Sequence, residues 1–197
     1  MFKIKVKNFD IKKICNPGQC FRMSEIESNT YAVIAFDSYL EISQTNDELT
    51  LSCTEEDFND LWQEYFGLND DYDSIESLME DDIYMKDAMT YGYGIRILKQ
   101  DLWEILVSFI ISQQNNIPRI KKSINMLCER YGEKKLNFKN QEFYTFPTPE
   151  ALKNVSEDDY RDCNLGYRSK YILKTAITIA DDENYLNGLV QLNYKDA

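Results

Sequence analysis

Residues 112–123, SQQNNIPRIKKS, place four side-chain amides (Gln113, Gln114, Asn115, Asn116) just ahead of Arg119, Lys121 and Lys122. A turn feeding a helix at that point presents backbone N–H groups, the positive end of a helix dipole and cationic side chains together, which is how phosphates and base edges are engaged. Residues 164–174, NLGYRSKYILK, repeat the logic with an aromatic, because Tyr167 stands beside Arg168 and Lys170. An aromatic next to cations stacks on bases or wedges between them while the cations hold the backbone. A third stretch, NPGQCFR at 16–22, is a Pro-Gly turn signal between two stretches that read as strands, and it poses the question of whether a ligand docks on Gly18. Each segment alone also has a bland reading: amides are ordinary loop residues, and Tyr167 can be a helix-packing aromatic.

The remaining chemistry is narrow. There is no histidine, and five scattered cysteines (Cys15, Cys20, Cys53, Cys128, Cys163) form no CxxC pair, so reduced, mostly buried thiols are expected and no metal or cofactor. The net charge of −12 argues at face value against a nucleic-acid partner, since phosphate binding rests on Lys and Arg. Its distribution says otherwise: residues 41–90 hold 16 acidic residues against one basic, whereas 1–22, 94–135 and 161–174 are each basic in balance. The longest nearly apolar run, Ile105 to Ile111, is interrupted by Ser108, and MFKIKVKNF alternates where a signal peptide is continuously apolar. The expectation is a soluble, unexported, cytoplasmic protein, nucleoid-associated if bacterial, without a membrane partner.

The elements that must carry these segments come in two styles. Phe2, Ile4 and Val6 alternate with lysines, YAVIAF and YLEISQ are β-rich, and Thr45–Asp47 offers a hairpin turn into ELTLSC, so the first 53 residues read as an antiparallel sheet. From Thr54, an N-cap followed by three acidic residues, the pattern turns helical, with Phe58, Leu61, Trp62 and Tyr65 at helical spacing, and the rest of the chain reads helical. Short acidic helices fill 73–90 before TYGYG; Asp101 caps an almost wholly apolar helix; Asn116 caps the next, with Pro118 in its first turn and Gly132 at its end. Thr148 and Ser156 cap two short helices, Gly166 reads as the C-terminal glycine of the second, and a last helix covers about 168–180. Trp62 and Trp103 lie on apolar faces and are expected in the core. The composition shift near residue 95 marks the boundary between an N-terminal β domain (1–95) and a helical domain (96–197), an α+β chain.

NPGQCFRM, GIRILKQDLWEILVSFIISQQNNIPRIKKSINMLCERYG and CNLGYRSKYI occur in the order and spacing of the 8-oxoguanine DNA glycosylases, which the chain resembles from end to end. The middle segment carries most of the specificity, combining RxLxQDxxE, SFI, NNIxRI and CxxYG-like elements. The resemblance implies a sheet domain like that of the TATA-binding protein, then a helical domain of the helix-hairpin-helix glycosylase type, incomplete here. It implies a partner, duplex DNA carrying 8-oxoguanine opposite cytosine, from which the damaged base is flipped. By position, Gly18 supplies the carbonyl that accepts a hydrogen bond from N7–H of 8-oxoguanine. Arg119 and Arg168 contact the cytosine left unpaired, Tyr167 is the wedge, and Gln114 fills the plug position where the family often has Asn, with Asn115 and Asn116 beside it in the turn.

The family's nucleophile is a lysine that attacks C1′ and forms a Schiff base, aided by an aspartate; both belong to a glycine-rich hairpin LPGVGxKVA and the helix after it. NGLVQLNYKDA resembles the stretch before that hairpin, so no catalytic residue is assigned, Lys195 is not a substitute, and the chain is expected to carry recognition without excision or lyase chemistry. Two other readings stand beside this one: a glycosylase for alkylated bases, which shares the helical domain, and a non-catalytic DNA-binding or interaction module whose acidic block meets a basic partner. Missing helices would also leave apolar surface uncovered, so self-association is expected.

Overall fold

The computed structural model describes residues 1–78, 82–182 and 184–193. The chain divides into two compact units, one formed by Met1–Ile34 with Tyr39–Gln100, the other by Ala35–Ser38 with the residues from Asp101 onward.

The first unit is built on five antiparallel strands, β1 (Phe2–Lys5), β2 (Met23–Glu27), β3 (Thr30–Ala35), β4 (Ser38–Thr45) and β5 (Glu48–Leu51), in the order β1-β5-β4-β3-β2. Register follows the apolar alternation: Phe2 and Ile42 both face Leu51, and Ile4 and Gln44 both face Leu49. That alternation puts Val33, Leu40, Ile42, Leu49 and Leu51 out of water completely, each burial contributing about 2 kcal/mol. The Asn46-Asp47 turn expected between β4 and β5 forms, with Asn46 at φ +53°. Thr54 caps α2 (Glu55–Asp57) through a reciprocal capping box with Asp57, and a π-turn over Phe58–Trp62 leads into α3 (Gln63–Tyr65). Trp62, Tyr65 and Phe66 are buried, and Tyr65 meets the other two rings edge-on, with Trp62–Tyr65 and Tyr65–Phe66 centroids 5.6 and 5.1 Å apart. Two helices with no buried side chain, α4 (Tyr72–Ser77) and α5 (Ile83–Gly92), occupy the acidic stretch.

One flank of NPGQCFR departs from expectation. The residues before it form a helix, α1 (Ile11–Cys15), not a strand. Asp10 accepts from the Lys13 N–H as its cap, and Ile11, Ile14 and Cys15, spaced three and four apart, are all buried. The 16–22 stretch therefore joins a helix to β2.

The second unit packs α6 (Leu102–Ser112), α7 (Ile117–Tyr131), α8 (Pro149–Leu152), α9 (Glu157–Asp162), α10 (Ser169–Asp181) and α11 (Tyr185–Val190). The expected caps act as such, with Asp101, Asn116, Thr148 and Ser156 each accepting a backbone N–H of the first turn. Trp103, Val107, Ile111, Ile124, Leu127, Tyr160 and Ile172 form the core, and the buried polar tips are satisfied: Trp103 Nε1 donates to the Pro147 carbonyl (2.8 Å) and Tyr160 Oη to that of Leu152 (2.7 Å).

The unit is not wholly helical. β6 (Lys134–Leu136) and β7 (Glu142–Tyr144) make a two-stranded ribbon. Its turn is closed locally by Asn137 Oδ1, which accepts from the N–H groups of Lys139 and Gln141, both at 2.9 Å. Gly166 is also not the residue that ends α9: Asn164, at φ +60°, takes the left-handed position just past the Cys163 cap, and Gly166 opens a 3-10 turn over Gly166–Arg168.

Among the described residues no helix is long and apolar enough to cross a membrane. On α6, Leu102 (42% exposed), Ile105 (38%) and Phe109 (66%) form an uncovered apolar stripe opposite Trp103, Val107 and Ile111. Exposed apolar stripes are where copies of a chain associate, and the expectation is tested directly. Light scattering is expected to show a mass that rises with concentration, and Ile105→Ser with Phe109→Ser is expected to abolish the rise; a monomer at every concentration contradicts the expectation.

Candidate nucleic-acid interface

In the second unit the helix α6 ends in a turn that the sequence makes tight. Gln114 adopts φ +47°, a left-handed conformation that costs a residue with a Cβ about 1 kcal/mol. Asn115 Nδ2 donates to the Ile111 carbonyl (3.0 Å), and Asn116 Oδ1 accepts from the Arg119 N–H (3.1 Å), starting α7. The four amides thus divide the work. Asn115 and Asn116 build the turn, while the side chains of Gln113 and Gln114 stay exposed. Arg119 is exposed on the first turn of α7.

The second cationic segment comes to the same place. Left-handed Asn164 and Gly166 bend the chain between α9 and α10, leaving Tyr167 52% exposed and Arg168 only 7% exposed. Arg168 Nε donates to the Gln113 carbonyl (3.1 Å), and Nη2 donates to the carbonyls of Gln113 and Gln114, the latter at 3.3 Å. A guanidinium is suited to this because its fork reaches two acceptors at once. Its carbon also lies 4.7 Å from the Tyr167 ring centroid, which fixes the ring edge-on to Tyr171 at 6.5 Å. Gln114, Arg119, Tyr167 and Arg168, 48 or more residues apart across the two segments, are therefore gathered on one surface by hydrogen bonds from a single buried cation.

Gly18 lies in the first unit. It takes φ +80°, favourable for glycine alone, is half-buried, and its carbonyl accepts no hydrogen bond from any described residue. Around it the loop is fastened by residues that sequence reading passed over. Gln19 and Gln100 tie it to residues 96–100, and Arg96, 6% exposed, holds that segment through bonds to the carbonyls of Asn8 (3.0 Å) and Gly67 (2.8 Å). Arg96 and Gln100 were visible as the R and Q of RxLxQD; what spacing does not reveal is that their partners sit some 30 to 90 positions away.

The thiols and the buried phenol are poor nucleophiles. Burial pushes the thiols of Cys53 and Cys163 up, so they stay protonated and inert, and it raises the Tyr160 phenol likewise. Lys195, the last lysine, falls outside the described residues. No group of three or more Cys, Asp or Glu able to hold a metal ion occurs among the described residues.

The unit that carries the paired cationic turns matches, over residues 107–196, the profile of the HhH-GPD superfamily of base excision DNA repair proteins. Residues 1–106 match the N-terminal domain profile of 8-oxoguanine DNA glycosylase, and the chain belongs to that family. A yeast (Saccharomyces cerevisiae) N-glycosylase/DNA lyase is 41% identical over 95 residues, covering 48% of this chain and 25% of the yeast protein. The structure of MBOgg1 in complex with a low affinity DNA ligand matches 98% of this chain and 68% of its own at 36% identity, TM-score 0.92. The Clostridium acetobutylicum 8-oxoguanine glycosylase/lyase, in complex with duplex DNA containing cytosine opposite 8-oxoG, matches 95% of this chain and 65% of its own at 40% identity, TM-score 0.90. The chain thus spans between a quarter and about two thirds of the lengths of these three proteins.

Proposed function

We propose that the protein serves base excision repair of 8-oxoguanine, with these 197 residues reading the lesion and the strand opposite it. The observation that carries this is the pair of turns joined by Arg168, which puts a wedge-like aromatic, a flexible amide and an exposed arginine on one surface. Flipping a base leaves a hole in the stack and an unpaired partner. Tyr167, held by its contact with Arg168, enters beside the hole, and Gln114 reaches into it. Arg119 and the Nη1 of Arg168, which bonds to no described residue, donate to the orphaned cytosine, whose O2 and N3 are acceptors. The longer amide of Gln114, in place of the family's Asn, bears on how strictly cytosine is demanded.

Gly18 distinguishes lesion from normal base. 8-Oxoguanine carries a proton at N7 and guanine a lone pair, so a carbonyl there attracts the first and repels the second. A buried mispaired acceptor costs about 1–3 kcal/mol, enough for real discrimination. The positive φ and absent Cβ of Gly18 let a flat base approach the backbone.

The polypeptide of residues 1–197 is expected to bind duplex DNA weakly, with affinity falling steeply as salt rises, and to form no covalent adduct. Borohydride trapping on an 8-oxoguanine:cytosine duplex tests the chemistry: a trapped adduct on this polypeptide refutes the assignment of recognition alone. Binding by an Arg119→Ala, Arg168→Ala double variant equal to that of the unaltered protein refutes the assigned surface.

A further inference from the structure

We infer that Gln19 and Gln100 are the positioning residues that aim the Gly18 carbonyl, and so set how strongly 8-oxoguanine is told from guanine; the inference rests on the reading of Gly18 given above. The geometry is a reciprocal clamp. Gln19 Nε2 donates to the Arg96 carbonyl (2.8 Å) while its Oε1 accepts from the Leu98 N–H (3.1 Å), so one primary amide pairs with an extended chain as a neighbouring strand would. In return Gln100 Nε2 donates to the Gln19 carbonyl (2.6 Å). Side chain and backbone of Gln19 are thus both fixed on one side of its Cα.

The consequence falls on the residue before it. The Gly18 carbonyl and the Gln19 N–H belong to a single peptide plane, and planarity leaves that plane free to swing only about the bonds at the two flanking Cα atoms. Glycine resists such swinging less than any other residue. With the Gln19 Cα, carbonyl and side chain fastened, and Cys20 buried with its Sγ 3.4 Å from Tyr65 Oη, the swing is restrained from the C-terminal side. The platform is itself tied at several points. Arg96 is locked on the carbonyls of Asn8 and Gly67 and lies 4.4 Å from the Tyr72 ring centroid, Tyr72 Oη accepts from the Ile97 N–H (2.8 Å), and the Lys99 N–H donates to the Tyr65 carbonyl (2.8 Å). A carbonyl that must meet N7–H, and must equally be in place to repel a lone pair, gains selectivity from such rigidity, because a mobile acceptor turns away from guanine at no cost.

The test uses Gln19→Ala, Gln19→Glu and Gln100→Leu in the full 197-residue chain, with two readouts. Amide exchange at Leu98, which donates to Gln19 Oε1, reports the clamp and is expected to quicken in Gln19→Ala. The ratio of affinities for 8-oxoguanine:cytosine and guanine:cytosine duplexes, measured below the melting temperature of each variant, reports the reading, and is expected to fall at least about fivefold in all three variants while the salt slope holds. Gln19→Glu keeps the acceptor for Leu98 but turns a carboxylate oxygen toward the Arg96 carbonyl, so it lowers the ratio without changing size. Leu98 exchange unaltered in Gln19→Ala overturns the clamp. Faster exchange with an unaltered ratio overturns its role in selectivity. A ratio near one in the unaltered protein overturns the reading of Gly18 itself, and the inference falls with it.

Discussion

Gly132→Ala is expected to unfold the second unit at temperatures where the unaltered protein is stable. Gly132 ends α7, its N–H donating to the Cys128 carbonyl (2.8 Å), at φ −79° and ψ 162°, values open to any residue. The obstacle is space: a Cβ there would lie 2.1 Å from the Thr145 carbonyl oxygen and 2.7 Å from that of Cys128. Neither atom can retreat cheaply. The Thr145 N–H donates to the Glu133 carbonyl (2.9 Å) and Thr145 Oγ1 accepts from the Glu133 N–H (3.0 Å), so the residue beside Gly132 is bound to the same segment that would have to move away. Moving it breaks both bonds and the entry to the β6–β7 ribbon. Overpacking alone costs about 1–3 kcal/mol, and two broken part-buried bonds bring the expected loss to about 3 kcal/mol or more. For a unit of this size that lowers the melting temperature by roughly 12 °C or more. Gly188→Ala is the control. It lies in α11 with nothing within 4 Å of its would-be Cβ, so it is expected to be neutral or to stabilise by up to about 1 kcal/mol. Calorimetry decides, and a Gly132→Ala melt within a degree or two of the unaltered protein removes the steric argument.

This glycine illustrates which parts of the molecule were legible in the chain. Caps are local events: Thr54, Asp101, Asn116, Thr148 and Ser156 bond to N–H groups three residues on, so sequence alone placed those helix starts. Apolar alternation placed the sheet for the same reason. The elements that escaped, α1 and the β6–β7 ribbon, are only five and three residues long, too short for periodicity to show, and they exist because neighbours bury Ile14 and Phe143. The candidate surface divides along the same line. Residue type alone pointed to Arg119 and Tyr167, whose side chains are exposed. That Arg168 is buried and spends most of its fork on Gln113 and Gln114, or that Gln19 pairs with Gln100 81 positions away, depends on contacts no local pattern encodes.

Arg168→Met is expected to lose both stability and DNA binding, and the contrast with Arg119→Ala separates two kinds of arginine on one surface. In the structure the Arg168 guanidinium is 55 residues along the chain from Gln113 yet holds its carbonyl by two N–H groups and that of Gln114 by one. Hydrogen bonds to a charged group contribute about 1.5–3 kcal/mol, and methionine fills the volume without replacing any of them. The Gln113 and Gln114 carbonyls then lose their partner, and the turn is left to the bonds of Asn115 and Asn116 and loosens. Tyr167 loses the cation against its ring as well, so the wedge loosens together with the plug. The expected result is a loss of about 2 kcal/mol in stability and of at least about tenfold in affinity for duplex DNA. Arg168→Lys is expected to recover little, because an ammonium is a point charge that does not bridge two carbonyls as a planar fork does. Arg119 is exposed and its side chain bonds to no described residue, so Arg119→Ala is expected to leave the melting temperature unchanged, to weaken binding, and to reduce the salt slope by about one if a phosphate contact goes with it. Melting curves and salt-titrated binding on the two variants give four numbers. If Arg168→Met melts like the unaltered protein while binding is lost, the arginine acts only by touching DNA; if it melts lower and binding is kept, the turn it braces is not where DNA lies.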